Sequence, residues 1–395
     1  MKARSGPLSF GQLSVWRDVR SLPAERAANA NVATSLRLPP GTTVESVQQA
    51  LRRVVAHHGS LRTTYDLSDW DSPLQTEHAE PLTWPVTVAD HGEPVGGLDL
   101  EHDHGWLARI VTGDDGSAAS LSLVNHHIVA DAAAQVVLRE HLTKALDGPL
   151  GEATGPLDLA ERQQAPASRA RNAAAVDNWR RSLSEPAEVA WADGPETVQV
   201  SLSAADLMPA AERIGTRAGV SASCVLLTAY LTAVREFTPV DEVPVRLMSA
   251  NRFSAATRDL VTSLNQWAPM WWPGTEGGFG AALADLQARS LKAYRLGTYD
   301  PAAVAAFRPV RPKWEEPVWG FNFITGRPAA DVDAGEPGEP TVRVEPVGNL
   351  FGHRFYLRAF ASGTLRLRAG GLDVTLVEKL LRRIHTLVLT NAEAG

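Results

Sequence analysis

The stretch that most constrains this chain runs from Ala118 to Leu146: an apolar alternation, the heptad Asn125-His126-His127-Ile128-Val129-Ala130-Asp131, then a helical pattern. Ala118 to Val124 alternates as a half-buried strand does. Val136, Val137, Leu138, Leu142 and Leu146 recur among helix formers after Ala132. Asp131 stands where a helix N-cap stands. The paired histidines therefore fall on a strand-to-helix turn, where side chains project from a rigid scaffold. A neutral imidazole there accepts a proton near neutral pH, because its ordinary pKa is about 6.5. Adjacent histidines on extended chain point to opposite faces. No Cys-x-x-Cys or His-Glu-x-x-His spacing accompanies them, so no metal centre is expected. The local pattern leaves polar surface, or a satisfied core histidine, open beside catalysis.

The remaining chain limits the surroundings of that turn. With 395 residues it is long enough for two domain-sized units, each with its own core. The net charge of −7 and the lack of any basic run argue against nucleic acid as a partner. No apolar run approaches the roughly 18 residues of a membrane span. Met1 to Pro7 lacks the apolar core of a signal peptide, so a soluble, cytoplasmic protein is expected. Cys224 is the only cysteine; its neighbours Val225, Leu226 and Leu227 place it on a buried helix rather than as a reactive thiol.

Read in order, the chain predicts a helix from Leu8 with Ser9 as its cap, and a strand over Asn31 to Leu38. An amphipathic helix opens at Thr43 and ends at His57-His58 before Gly59. Short strands follow at 61–66, 83–88 and 106–112. Between Asp147 and Ser168, Gly148, Pro149, Gly151, Gly155, Pro156 and Pro166 break any regular pattern, and an inter-domain linker is expected there. Beyond it come helices at 169–183, 204–217, 222–237, 281–296 and 375–391. Strands are expected at 196–202, 243–250, 318–325 and 342–347, an acidic turn at 331–340, and a hairpin over 355–369. The domains are thus expected at 1–160 and 161–395, each mixing strands and helices in an α/β (α+β) architecture. Trp267, Trp271, Trp272, Trp314 and Trp319 cluster in the second half, suiting core packing or a small-molecule pocket.

These residues carry a resemblance. The chain resembles the condensation domains of nonribosomal peptide synthetases, within the chloramphenicol-acetyltransferase-like superfamily. Leu8-Ser9-Phe10-Gly11-Gln12-Leu13-Ser14-Val15-Trp16 looks like the first family motif, Ser-x-Ala-Gln-x-x-Leu-Trp. His57 to Tyr65 is similar to the second, Arg-His-x-x-Leu-Arg-Thr-x-Phe. His126 to Ala132 is similar to the third, His-His-x-x-x-Asp-Gly. The helix around Cys224 to Tyr230, the strand from Val243, Asn251-Arg252, the Asn265 region and Phe321-Asn322-Phe323 also have counterparts. The resemblance implies two acetyltransferase-like subdomains arranged as a V around a central tunnel. It implies that His127 is the catalytic histidine and that His126 supports the turn. It further implies that Asp131 pairs with Arg62 to fix that turn, and that Asn265, Trp267, Trp319 and Asn322 are candidates to line the tunnel.

The implied chemistry is transfer of an acyl or aminoacyl thioester, carried on the phosphopantetheine arm of a carrier protein, to an amine. The acceptor is a small molecule or is itself carrier-bound. No bound cofactor and no metal are implied. No adenylation or carrier domain is found in the sequence, so the carrier is expected in trans. Three departures matter. Ala132 stands where the motif has glycine, the later His-x-x-x-Pro-Phe motif survives only as Tyr299-Asp300-Pro301, and Leu264-Asn265-Gln266-Trp267 replaces Phe-Val-Asn-Thr. Two alternatives stay open: an O-acyltransferase forming an ester, and a catalytically inactive condensation-like domain that recruits tailoring enzymes.

Overall fold

The computed structural model describes residues 3–394 except 21, 23, 91–97, 152–154, 184–196, 239–241, 308–317, 326–338 and 348–351. Trp314 and most of the acidic turn expected at 331–340 lie outside the described residues. The chain divides into two compact units, and the division is not a single cut near residue 160. The first unit takes Met1–Ala173, Ala250–Gln266 and Thr298–Ala306; the second takes Ala174–Ser249, Trp267–Gly297 and Phe307–Gly395.

In the first unit a four-stranded sheet has the order Asn31–Arg37, Ala118–His126, Trp106–Thr112, Val86–Ala89. A smaller sheet joins Arg4–Pro7, Leu74–Glu77 and Thr63–Asp66, all antiparallel. Helices Val44–His57 and Ala132–Asp147 pack on each other and on the larger sheet. Their apolar faces, with Val47, Leu51, Val54, Leu138 and Leu142, meet Trp106, Ile110 and Leu123 in one core. Both helices begin where the sequence places a cap: Thr43 accepts from Ser46 N and Asp131 from Ala134 N. Ser9 and Gln12 form a capping box at the start of helix Phe10–Val19. Gly11, in that helix, lies against the backbone of another segment: a Cβ there would meet the carbonyl oxygen of Ser263 and come within 2.7 Å of Leu264 Cα.

The expected linker is instead helical over much of its length, with helices at Pro156–Gln164 and Pro166–Leu183. Pro156 occupies the first helical turn after Gly155. A proline there has no intrahelical N–H to lose and its φ suits the helix. Residues read as breakers thus act as starters.

The second unit is built on a seven-stranded mixed sheet. Its order is Gln266–Trp272, Val243–Ser249, Trp319–Ile324, Phe355–Phe360, Thr364–Gly370, Thr197–Ser203, Thr341–Glu345. Trp319–Ile324 runs parallel to both neighbours, while the hairpin 355–370 and the strands beyond it are antiparallel. Helices Leu207–Ala218, Ala222–Phe237, Gly278–Arg295 and Val374–Glu393 share its core. Ala222–Phe237 is buried over most of its surface, as its continuous apolar run predicts. Cys224 is buried within it, and burial pushes its thiol up to about 11. Among the described residues no single helix is long and apolar enough to cross a membrane.

Candidate active site

The strand Ala118–His126 is bonded on both sides, Asn31 facing His126 in one register and Trp106 facing Asn125 in the other. The turn that follows is pinned by its own backbone. His126 N donates to Gly105 O at 2.7 Å, His127 N to Ala30 O at 2.6 Å, and Val129 N to His126 O at 2.9 Å. Ile128, Val129 and Ala130 are fully buried, a plug of apolar side chains that anchors the turn in the core.

Against that plug the two imidazoles separate. His126 is buried, and its Nδ1 accepts from Ile128 N at 3.1 Å. Burial, helped by the neighbouring His127, pushes it down to about 3, so it stays neutral. His127 is half-buried. Its Nδ1 lies 3.1 Å from Ser263 Oγ, and the same hydroxyl donates to the His127 carbonyl oxygen. A hydroxyl has one proton to give. With that proton on the carbonyl, Ser263 Oγ accepts from Nδ1–H. The lone pair of His127 then sits on Nε2.

Asp131 is also buried, and its carboxylate makes three contacts. Oδ1 accepts from Ala134 N at 2.8 Å and from Arg252 at 2.8 Å, and Oδ2 accepts from Leu264 N at 2.9 Å. The ion-pair partner is therefore Arg252, not Arg62. Arg252 is held in turn by the carbonyls of Thr257, Arg258, Leu260 and Thr262. Asn251, just before it, has φ +53, a left-handed conformation that asparagine tolerates better than most residues, and donates to Leu264 O at 2.8 Å. Arg62 works elsewhere: it donates to the carbonyls of Val55, His78 and Ala79 and pairs with Glu77 at 3.3 Å. It fastens the end of helix Val44–His57 to the smaller sheet. Glu77 is itself drawn upward from the ordinary carboxylate range, by burial first.

Ala132 is exposed at the first helical position and does not have positive φ. Alanine therefore carries no left-handed strain there. The tryptophans expected along a tunnel belong to packing. Trp319 is fully buried in the core of the second unit, stacked on Phe355 with ring centroids 4.5 Å apart. Trp267 is buried against His353 and Tyr356. Trp271 Nε1 donates to Ser182 O, and Trp272 Nε1 to Asp285 Oδ2. Trp319–Ile324 is an interior strand and Gln266–Trp272 the edge strand two places away, and Trp319, Trp267 and Trp272 are all buried. Asn322, half-buried in the second unit, donates to Tyr356 Oη at 3.0 Å. Asn265, half-buried, lies in the segment that carries Arg252 and Ser263.

The first unit thus brings together His126, His127, Asp131, Arg252 and Ser263. Sequence reasoning noticed Arg252 without assigning it a partner and passed over Ser263. The only available signal was a polar pair, Thr262-Ser263, inside an otherwise apolar stretch.

No protein-family profile matches the chain. In sequence it is similar to parts of peptide synthetases. It is 27% identical over 250 residues to the nonribosomal peptide synthetase kk1B of Curvularia clavata, covering 55% of this chain and 2% of that protein. It is 30% identical over 207 residues to the cyclosporin synthetase simA of Tolypocladium inflatum, covering 47% of this chain and 1% of the other. The chain therefore spans only a small fraction of the length of these relatives. In fold it is similar to the condensation domain of the monacolin K polyketide synthase MokA, with TM-score 0.79 and 14% identity over 100% of this chain and 98% of that one. A structure concerning condensation-domain-mediated chain release from the enacyloxin polyketide synthase superposes at TM-score 0.72 with 21% identity, covering 97% and 82%. The X-domain from teicoplanin biosynthesis, solved with OxyB, superposes at 0.70 with 17% identity, covering 98% and 93%.

Proposed function

We propose that this chain, which has the condensation-domain fold, is an acyltransferase that moves an acyl or aminoacyl group from a carrier-bound thioester to an amine, with His127 as its base. The observation that carries this reading is the hydrogen bonding of His127. Ser263 holds the Nδ1–H tautomer, so Nε2 can take a proton. The amine nitrogen attacks the thioester carbonyl carbon, and the C–N bond forms as its proton passes to Nε2. The tetrahedral species collapses with cleavage of the C–S bond, and the proton leaves with the thiol sulfur. No enzyme nucleophile is needed, since the thioester is already activated, and alignment of the two substrates supplies much of the rate.

The test is formation of amide from aminoacyl-pantetheine thioesters and a panel of amines, by the parent and by His127→Ala. Loss of base catalysis costs about 10²- to 10⁴-fold, while the circular dichroism spectrum stays unchanged. Product formation by His127→Ala at the parent rate would sink the proposal. The X-domain neighbour favours a second reading, a platform that recruits a tailoring enzyme; a folded parent inert towards every thioester, yet capturing such an enzyme, would support it.

A further inference from the structure

Three histidines converge in the first unit, away from the histidine turn. His57 ends helix Val44–His57, His58 is its C-cap residue, and His141 lies on helix Ala132–Asp147. Their ring centroids are 4.5, 5.1 and 5.0 Å apart, and one ring nitrogen from each lies within 4.8 Å of the other two. His58 Nε2 is 3.0 Å from His141 Nδ1. We propose that these residues bind one divalent transition-metal ion of the zinc class, through three imidazole nitrogens with solvent in the fourth position.

Four features support it. First, the donor set selects the ion: imidazole suits zinc, nickel, cobalt and copper, and does not suit magnesium or calcium. Second, the spacing suits it. Tetrahedral zinc at about 2.0–2.1 Å from each nitrogen needs nitrogens about 3.3 Å apart; the His58–His141 pair stands at 3.0 Å and all three nitrogens lie within 4.8 Å of one another. Third, His57 Nδ1 is hydrogen-bonded to Gly151 O. A backbone carbonyl on one ring nitrogen fixes the tautomer that leaves the other nitrogen for the metal, the usual outer partner of a ligating histidine. Fourth, the site is framed and reachable. Arg53 donates to Ala145 O at 2.7 Å and ties the two helices together, while His57 and His141 remain half-exposed as an entry path.

The proton balance closes. One proton lies between His58 Nε2 and His141 Nδ1; when both nitrogens bind the ion, it moves to the far nitrogen of its own ring by exchange with solvent. No net proton is released unless the metal-bound water ionises. His141 lies ten residues after Asp131 on the same helix, about 15 Å along its axis. The ion would therefore clamp two helices rather than enter the acyl-transfer chemistry.

The experiment uses tag-free protein stripped with a chelator and dialysed, then titrated with zinc chloride by calorimetry and with cobalt(II) by visible absorption. The expected results are one ion per chain and tetrahedral cobalt bands. A rise in Tm of about 5–10 °C is expected at a hundredfold excess over Kd, with magnesium giving none. His57→Gln and His141→Gln, both on half-exposed positions, should abolish the bands and the Tm rise while keeping the metal-free Tm. A parent that takes up no zinc at micromolar concentration overturns the proposal. So does stoichiometric binding that both variants retain.

Discussion

Removal of the Asp131 carboxylate tests the architecture of the histidine turn most directly. Asp131→Ala deletes the cap of helix Ala132–Asp147, worth about 1 kcal/mol. It also leaves Arg252, whose side chain is 10% exposed, without its counter-charge. Stripping one partner from a buried pair costs about 3–5 kcal/mol. Arg252 keeps four backbone carbonyls, which places the loss at the lower end, and the two contributions overlap. The expected destabilisation is about 3 kcal/mol, or a Tm lower by about 6–12 °C for a unit of this size. Arg252→Ala leaves the carboxylate with two N–H donors and should cost about 2 kcal/mol. The assay is a double-mutant cycle read by urea unfolding. Asp131 and Arg252 should couple by at least about 1 kcal/mol, and Asp131 and Arg62 by less than about 0.5. Strong coupling to Arg62 with none to Arg252 would refute the assignment.

Ser263→Ala should lower kcat by about tenfold with little change in KM, and should move the acidic limb of the pH profile. Ser263→Thr keeps the hydroxyl and should restore both; a profile unchanged in Ser263→Ala would count against its role in fixing the tautomer. Gly11→Ala forces a Cβ onto the backbone at Ser263 and Leu264, for an expected loss of about 1–3 kcal/mol; a parent-like Tm would show that the contact yields freely. The pH dependence of unfolding has a defined sign. His126 is held near 3 when folded and returns to about 6.5 when unfolded. Its contribution is thus full above pH 6.5 and declines as pH falls towards 3, because only the unfolded state takes up the proton. His126→Asn, which keeps an acceptor for Ile128 N, should reduce the slope of log unfolding constant against pH by close to one in that window. Equal slopes would mean that His126 titrates normally in the folded protein.

Local signals carried most of the elements and failed where a partner came from far along the chain. Caps at Ser9, Thr43 and Asp131 read correctly because capping uses bonds over three residues. The helices inside 147–168 were hidden because a proline that ends one helix and a proline that begins another are the same letter. Arg62 looked like the partner of Asp131 by motif order, but pairing is decided by which guanidinium the fold delivers, and Arg252 lies 121 residues away. Trp319 and Trp267 are aromatic residues on covered strands, and composition does not say whether an aromatic ring faces a cavity or a core. The three-histidine cluster was invisible to spacing rules, since its third member is 83 residues from the second.

The return of Ala250–Gln266 to the first unit also sets an order of events during synthesis. At about 5–20 residues per second, the ribosome adds the 121 residues between Asp131 and Arg252 in roughly 6–24 s. Over that interval the sheet and both helices of the first unit already have their own apolar contacts, while the histidine turn lacks its arginine and its serine. The nascent chain therefore has the backbone bonds of the turn to Gly105 and Ala30 in hand while Asp131 still awaits its ion pair. The carboxylate of Asp131 gains Arg252 and Leu264 N only when the strand Val243–Ser249 has been made and the segment after it has been delivered.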